Sequence, residues 1–125
     1  MARMRIKFNC TIDDPVFGFL IRNRHGVHAY GANTEQKGLS FGKVERGEVV
    51  EVSFAFESWL GTDLYSVSFA VHSAEGISYD WMDGVHFFHV ASTGPVEGIA
   101  NLNATASLKR LGRTSILVAR EVVEL

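Results

Sequence analysis

Apolar and polar residues alternate with a period of two over most of the chain. Val and Phe alternate with Glu, Ser and Ala at residues 50–57, and Tyr, Val and Phe alternate with Ser, Ala and His at residues 65–72. A similar alternation is present at residues 5–10, 16–22 and 85–91. Successive side chains of a strand point to opposite faces of its sheet, so each run predicts a strand with one buried face.

Short turn signals separate the predicted strands. They are Asp13–Pro15, Arg24–Gly26, Glu45–Gly47, Gly61–Asp63, Ala74–Gly76 and Asp83–Gly84. Asp83–Gly84 is the strongest hairpin signal, because both central residues of a type I′ turn need a positive φ, which Asp and Gly tolerate. Many short strands with regular turns are typical of an antiparallel sandwich or barrel, and we expect an all-β sandwich of roughly seven to nine strands. Only Thr105–Leu111, capped by Gly112, has the pattern of a helical turn.

The side chains that share the period-two phase are expected to form the core. They are Phe8, Phe17, Phe19, Ile21, Val52, Phe54, Phe56, Val67, Phe69 and Phe88. The C-terminal run Ser115–Leu125 differs from the other strands because it is apolar on both faces. A strand of this kind is either central in a core or covered by a partner. Because a long apolar edge would invite aggregation, we expect a homodimer in which Ser115–Leu125 is covered by, or exchanged with, the other chain.

Length and charge restrict the classes of function. The chain of 125 residues fits a single domain, residues 1–125, and its 46% of hydrophobic residues can fill a core without disulfides or metals. Its 12 basic and 14 acidic residues give a net charge of -2, so we expect no nucleic-acid partner. The single cysteine, Cys10, cannot form an internal disulfide, which favours a reducing, cytosolic compartment.

The sequence lacks the motifs of common enzymes and metal sites. It has neither a phosphate-binding glycine loop followed by Lys and Ser or Thr, nor a Gly-x-Ser-x-Gly nucleophile turn. His86 and His89 lie three apart on a predicted strand, so they are expected on opposite faces, where they could not share a metal. Asp80 and Asp83 bracket the predicted hairpin turn, which explains both carboxylates without acid–base catalysis. We therefore expect no catalytic residue, no metal and no cofactor.

Several segments resemble one known family. The run DPVFGFLIRNRHGV at residues 14–27 is followed by Tyr30–Thr34, and matching segments at residues 64–72, 79–81 and 88–90 follow in the same order. Together they resemble the C-terminal domain of the ATP-binding subunit of polysaccharide (O-antigen) ABC exporters, the Wzt type. The nucleotide-binding domain of such exporters is absent from this chain.

The resemblance implies an immunoglobulin-like antiparallel β-sandwich that binds the exported glycan. It further implies a position on the cytoplasmic side of the inner membrane and a dimer formed by exchange of a terminal strand. The nucleotide-binding and membrane subunits of the exporter are implied as partners.

Proteins bind sugars with aromatic rings that stack on pyranose faces and with polar side chains that bond the hydroxyls. The candidate rings, which the strand pattern does not send inward, are Trp59, Trp81, Phe87 and Tyr30. The candidate polar partners are Asp80, Asp83 and His89. We expect the sheet face or loop edge that carries Trp59, Trp81 and Phe87 to include the glycan contact surface. The alternative for each ring is a structural role, because a loop tryptophan often closes one end of a sandwich.

Two functions of different classes remain open. The first is a non-catalytic glycan-binding module that recognises a bacterial cell-surface polysaccharide for export by an ABC transporter. The alternative is a structural or protein-interaction sandwich that dimerises and binds no sugar. The outward positions Phe87, Val16 and Leu20 fit either function, so polysaccharide binding has to be measured to separate them.

Overall fold

The computed structural model describes residues 1–91 and 97–111. Their strands are β1 (Ala2–Lys7), β2 (Val16–Asn23), β3 (His28–Asn33), β4 (Val49–Phe54), β5 (Asp63–His72) and β6 (Ser78–Val90). β1 and β4 form a two-stranded sheet, and the other strands form a four-stranded sheet in the order β3–β2–β5–β6. All neighbouring strands are antiparallel. The prediction of an all-β, antiparallel sandwich of two sheets is confirmed.

The core lies between the two sheets and contains two buried clusters. The first consists of Ala2, Phe19, Ile21, Ala32, Tyr65 and Val67, and the second of Met4, Phe8, Phe17, Val44, Val50 and Val71. Phe54 of β4 and Phe69 of β5 pack against both clusters and join them. Every side chain that the period-two pattern assigned to the core either belongs to one of these clusters or packs against one, and none of them is exposed. That prediction is confirmed.

The two-stranded sheet covers only part of the four-stranded sheet. Among the described residues, β1 pairs only with β4 and β6 only with β5. A groove of about 720 Å³ lies between β1 and β6, with an apolar lining from Ala2, Phe56, Val67, Phe69, Phe88 and Val90. Within the described part of the chain, the core is therefore open on one side. The predicted strand Ser115–Leu125 lies outside the described residues.

The loop between β4 and β5 is fixed from inside the core. The side chain of Tyr65 is 1% exposed, and its hydroxyl donates a 2.7 Å hydrogen bond to the carbonyl oxygen of Gly61. Burial raises the pKa of the Tyr65 hydroxyl. Because a buried carbonyl without a donor is costly, this bond holds the loop against the end of the sandwich.

The predicted hairpin turn at Asp83–Gly84 is wrong, because both residues lie inside β6. The turn between β5 and β6 is formed by Ala74–Gly76, where the N–H of Ser73 donates to the carbonyl oxygen of Ile77 at 2.8 Å. Both segments carried a turn signal in the sequence. Only the pairing of the strands decides which of them reverses the chain.

The Asp83–Gly84 pair forms part of a β-bulge. Val67 pairs with His86 and Phe69 pairs with Met82, so the three residues Asp83–Val85 face Ser68 alone. Gly84 has a φ of 55° in this bulge. The tolerance of positive φ that predicts a hairpin also suits a bulge, so the local sequence does not distinguish the two.

The predicted helical turn at Thr105–Leu111 is also wrong. Residues 101–111 have no regular secondary structure, and the expected cap Gly112 lies outside the described residues. The side chains of Leu108 and Leu111 are fully or largely exposed. A single helical turn without tertiary packing is unstable, because fixing the first turn costs more free energy than its few hydrogen bonds contribute.

We expect Phe17→Ala to lower the free energy of unfolding by about 3–5 kcal/mol, because truncation of this buried ring leaves a cavity beside Phe8. Phe87→Ala is the matched control, since it removes a ring that is 61% exposed, and it should cost less than about 1 kcal/mol. Urea denaturation followed by circular dichroism measures both values. Equal destabilisation by the two variants would contradict the assigned core.

Candidate functional site

The side of the four-stranded sheet that faces away from the core, here called the outer face, carries polar and aromatic side chains. On β2, Phe19 and Ile21 are buried in the core, so Leu20 and Arg22 lie on the outer face. The side chains of β6 that lie on the outer face by the same alternation are Trp81, Asp83, Phe87 and His89.

A groove of about 350 Å³ lies on the outer face beside Trp81. Its floor contains the small residues Gly18, Gly31 and Ala70. A Cβ at Gly31 would lie 3.1 Å from Cδ1 of Leu20 and would narrow the groove. Trp81 borders this floor and is 49% exposed. Leu20 also lines the groove, so an apolar surface lies beside an exposed flat ring and offers a platform for an apolar ligand face.

Polar side chains surround other parts of this groove. Asn33, Gln36 and His72 line it. Asn33 Oδ1 accepts a 2.8 Å hydrogen bond from the N–H of Gln36, so this side chain also holds the turn after β3. The groove therefore combines an aromatic border with amide and imidazole groups that form hydrogen bonds.

An ion pair crosses the centre of the outer face. Arg22 of β2 and Asp83 of β6 meet over Ser68 of β5, the strand that lies between them. Ser68 is 1% exposed, and its hydroxyl donates to Asp83 Oδ1 at 2.8 Å and accepts from the N–H of Gly84 at 2.9 Å. The guanidinium carbon of Arg22 lies 5.9 Å from the centre of the Trp81 ring, within the range of a cation–π contact.

These contacts stabilise the charged form of Asp83. The hydrogen bond from Ser68, followed by the one from Arg22, holds the pKa of the Asp83 carboxyl below its ordinary value of 3.8. The Asp83 side chain is nevertheless 62% exposed, whereas that of Arg22 is 24% exposed. The outer face thus presents a charged acceptor and a guanidinium donor next to an exposed indole.

Phe87 and His89 extend the outer face beyond the bulge. Phe87 lies opposite Ser66 and borders a depression that is also lined by Arg22 and Leu64. His89 lies opposite Leu64 at the end of the strand. These two predicted site residues therefore share a face with Trp81 and Asp83.

Asp80 does not lie on the outer face. It pairs with Val71, whose side chain is buried in the core, and it lines a groove with Arg5 and Lys7 of β1. The expectation that Asp80 neighbours Trp81 at one surface is corrected, because adjacent residues of a strand point to opposite faces. The difference arises because this segment is part of the strand β6 and not a turn.

Trp59 and Tyr30 lie in another groove, here called the end groove, which they line together with Ile21, Phe56 and Glu57. Tyr30 pairs with Ile21, and its ring lies 5.9 Å from that of Phe19, so it belongs to the core side of the sheet. The end groove has a volume of about 390 Å³. The expectation of one surface shared by Trp59, Trp81 and Phe87 is corrected to two separate surfaces.

The sequence pattern does not single out Arg22 and Ser68 as site residues. Both occupy outward positions of their predicted strands, and this phase is the signal that could have identified them. Their contact with Asp83 depends on the order of β2, β5 and β6 in the sheet. The alternation along a single strand gives no information about this order.

Residues 1–91 and 97–111 contain neither a cluster of side chains that could hold a metal ion nor a helix that could span a membrane. Within these ranges, no three His, Cys, Asp or Glu side chains are grouped so that they could hold a metal ion. The same residues contain no helix of the length and apolarity that crossing a membrane requires.

We expect the stabilising effect of the Asp83 charge to depend on pH. Because the folded-state pKa of Asp83 is lowered, its contribution is present above the unfolded value near 3.8 and is lost as the pH falls through the folded pKa. The difference in unfolding free energy between the parent and Asp83→Asn should therefore shrink on going from pH 7 to pH 3. Urea denaturation at both pH values measures it, and a constant difference would contradict the assigned network.

Comparisons with known proteins identify a family. Residues 1–102 match the family described as the Wzt C-terminal domain. A crystal structure of the C-terminal domain of Wzt has the same fold, with a TM-score of 0.75 at 23% sequence identity over 86% of this chain and 68% of that chain. No curated protein sequence matches the chain. Because the family match extends over most of its length, the chain belongs to the Wzt C-terminal domain family, the domain type of polysaccharide ABC exporters that its sequence resembles.

Proposed function

We propose that this domain is a non-catalytic module that binds a bacterial cell-surface polysaccharide of the O-antigen type for export by an ABC transporter. The observation that carries this proposal is the outer face, where the exposed ring of Trp81 borders a groove floored by glycine and alanine. Membership of the Wzt C-terminal domain family supports the transporter context.

The chemistry of the outer face suits a sugar. A pyranose has a face of C–H groups, which stacks on an aromatic ring, and an edge of hydroxyl groups. Trp81 offers the ring, and Arg22 and Asp83 offer a donor and a charged acceptor beside it. One stacked ring contributes about 1 kcal/mol, so a single site binds weakly. Several sites on a repeating polymer gain affinity through avidity.

The alternative function is a sandwich that dimerises and binds no sugar. The exposed side chains of Phe87 and Leu64 on the outer face would also suit a protein interface. The ion pair between Arg22 and Asp83 favours a hydrated ligand with hydroxyl groups, because burying this pair in a dry interface would carry a desolvation cost.

We also propose that the domain acts as a homodimer on the cytoplasmic side of the inner membrane, beside the nucleotide-binding and membrane subunits of the exporter. The open groove between β1 and β6 supports a dimer, since it leaves Phe69 and Phe88 only partly buried. An apolar strand from the second chain would cover these side chains and pair with the edge of β1. The sequence of Ser115–Leu125 has the apolar composition that this strand needs.

We expect Trp81→Ala to weaken binding of O-polysaccharide purified from the source strain by about fivefold to tenfold, because it removes the stacking energy of one ring. Isothermal titration calorimetry measures the Kd, and circular dichroism checks the fold. A folded Trp81→Ala protein that binds as tightly as the parent would place the site elsewhere. Absence of any polysaccharide binding by the parent would contradict the function itself.

Two controls separate the loss of the ring from a general effect. Trp81→Phe keeps an aromatic face and should bind within about twofold of the parent. Phe41→Ala removes another exposed ring, one that packs against the buried Phe17 rather than on the outer face. It should leave the Kd unchanged.

We expect the full chain to sediment as a dimer at tens of micromolar and a chain that ends at residue 114 to sediment as a monomer. The reason is that the deletion removes the apolar segment proposed to cover the groove between β1 and β6. Sedimentation equilibrium measures both masses. A monomeric full chain, or a dimer that persists after the deletion, would contradict the proposed assembly.

A further inference from the structure

We infer that the end groove is a second sugar-contact site, which takes a pyranose residue of the same polysaccharide through Trp59 and Tyr30. The inference rests on the proposed function, because it adds a second point of contact for the glycan bound at the outer face. The two sites lie on different surfaces of the sandwich, the outer face around Trp81 and the end groove on the core side of β3.

The loop that carries Trp59 is held in place by hydrogen bonds at three points. The buried hydroxyl of Tyr65 donates to the carbonyl oxygen of Gly61 at 2.7 Å. The N–H of Gly61 donates to the carbonyl oxygen of Ile99 at 2.6 Å. The N–H of Asn101 donates to the carbonyl oxygen of Trp59 at 2.5 Å. A loop fixed before binding loses little conformational entropy when a ligand arrives.

Close packing of two distant segments shapes one wall of the end groove. Leu60 and Ala100 form an isolated antiparallel bridge, and both line the groove. A Cβ at Gly61 would overlap the carbonyl oxygen of Gly98, so a larger residue would push the two segments apart. The exposure of Trp59 is therefore the product of a specific local structure and not of a loose loop.

The side chains of the end groove match the two surfaces of a pyranose. Trp59 is 56% exposed and Tyr30 is 44% exposed. The Tyr30 ring is supported by Phe19 at 5.9 Å, so its position is also set in advance. Both rings can stack on C–H faces, while the phenol of Tyr30 and the carboxylate of Glu57 can bond hydroxyl groups.

The size of the end groove favours a sugar over a protein partner. Its volume of about 390 Å³ falls in the range of small-ligand sites. A stable protein interface buries about 800 Å² on each partner, so a protein would have to extend over the surface around the groove as well. A polymer with repeating sugars can place one segment on the outer face and another in the end groove, and each contact then raises the local concentration at the other.

The chain has two tryptophans, which makes each site separately observable. Trp81→Phe leaves Trp59 as the sole indole, and Trp59→Phe leaves Trp81. Both proteins would be titrated with O-polysaccharide purified from the source strain, with indole emission as the readout and circular dichroism as the check of folding. The expected result is a saturable change of emission in both proteins.

Variants in the Trp81→Phe background test whether the Trp59 signal comes from the end groove. Tyr30→Ala should weaken the apparent affinity of the Trp59 response about fivefold, the effect of losing one stacked ring. Phe41→Ala is the matched control, because its exposed ring packs against Phe17 and does not line the end groove. It should leave the response unchanged.

The outcomes distinguish the inference from the proposed function. If Trp81 responds and Trp59 does not, the inference is overturned and the outer face stands as the glycan site. If Trp59 responds and Trp81 does not, the end groove is the glycan site, the outer face is rejected, and the inference of two sites is overturned. If neither responds and calorimetry detects no binding, both proposals fail. A Trp59 signal that follows protein concentration instead of polysaccharide would assign the groove to a second copy of the chain and overturn the inference.

Discussion

β2 and β5 pair antiparallel along the centre of the four-stranded sheet, and their register divides the side chains between two environments. Phe19 lies opposite Phe69 on the core side, and Leu20 lies opposite Ser68 on the outer face. A slip of one residue would exchange the two sets, so the burial of the phenylalanines holds the register in place. The composition of the outer face is therefore a consequence of core packing.

The bulge at Asp83–Val85 adapts the long edge strand β6 to this central pair. It places three residues opposite Ser68, and because the two additional residues preserve the alternation, Trp81 and Phe87 remain on the same face. The buried hydroxyl of Ser68 accepts a hydrogen bond from the N–H of Gly84 in the bulge. It also donates to the carboxylate of Asp83 and thereby orients it. In this way one hydroxyl on β5 links the local geometry of β6 to the charge of Arg22 on β2.

The unequal size of the two sheets explains where the remaining aromatic side chains lie. Among residues 1–91 and 97–111, two strands face a sheet of four, so these residues leave the core open between β1 and β6 and at the end near the loop after β4. Tyr30 stands on the core side of β3 but is partly exposed for this reason. Trp59 is exposed in the same region. Incomplete coverage therefore creates apolar grooves in a sandwich whose centre is well packed.

Local pattern predicted strands in the regions of β1, β2, β4, β5 and the second half of β6, together with their core side chains, because the alternation of side chains is a property of each strand alone. It did not predict β3 or the first half of β6. Phe8, Phe17 and Phe19 could be placed inside from their phase, and the family could be identified from short segments. Local pattern could not decide between hairpin and bulge at Asp83–Gly84, because a positive φ at Gly84 suits both structures and the pairing with β5 selects the bulge.

The candidate site shows even more clearly which features follow from local sequence pattern and which require the tertiary structure. Phase alone separates Phe87 from Phe88, since both are positions on one predicted strand. The meeting of Arg22 with Asp83, and the separation of Trp59 from Trp81, depend on the order of strands and on which sheet covers which. These contacts join residues far apart in sequence. They arise only when the whole chain has buried its apolar faces, so tertiary structure decided them.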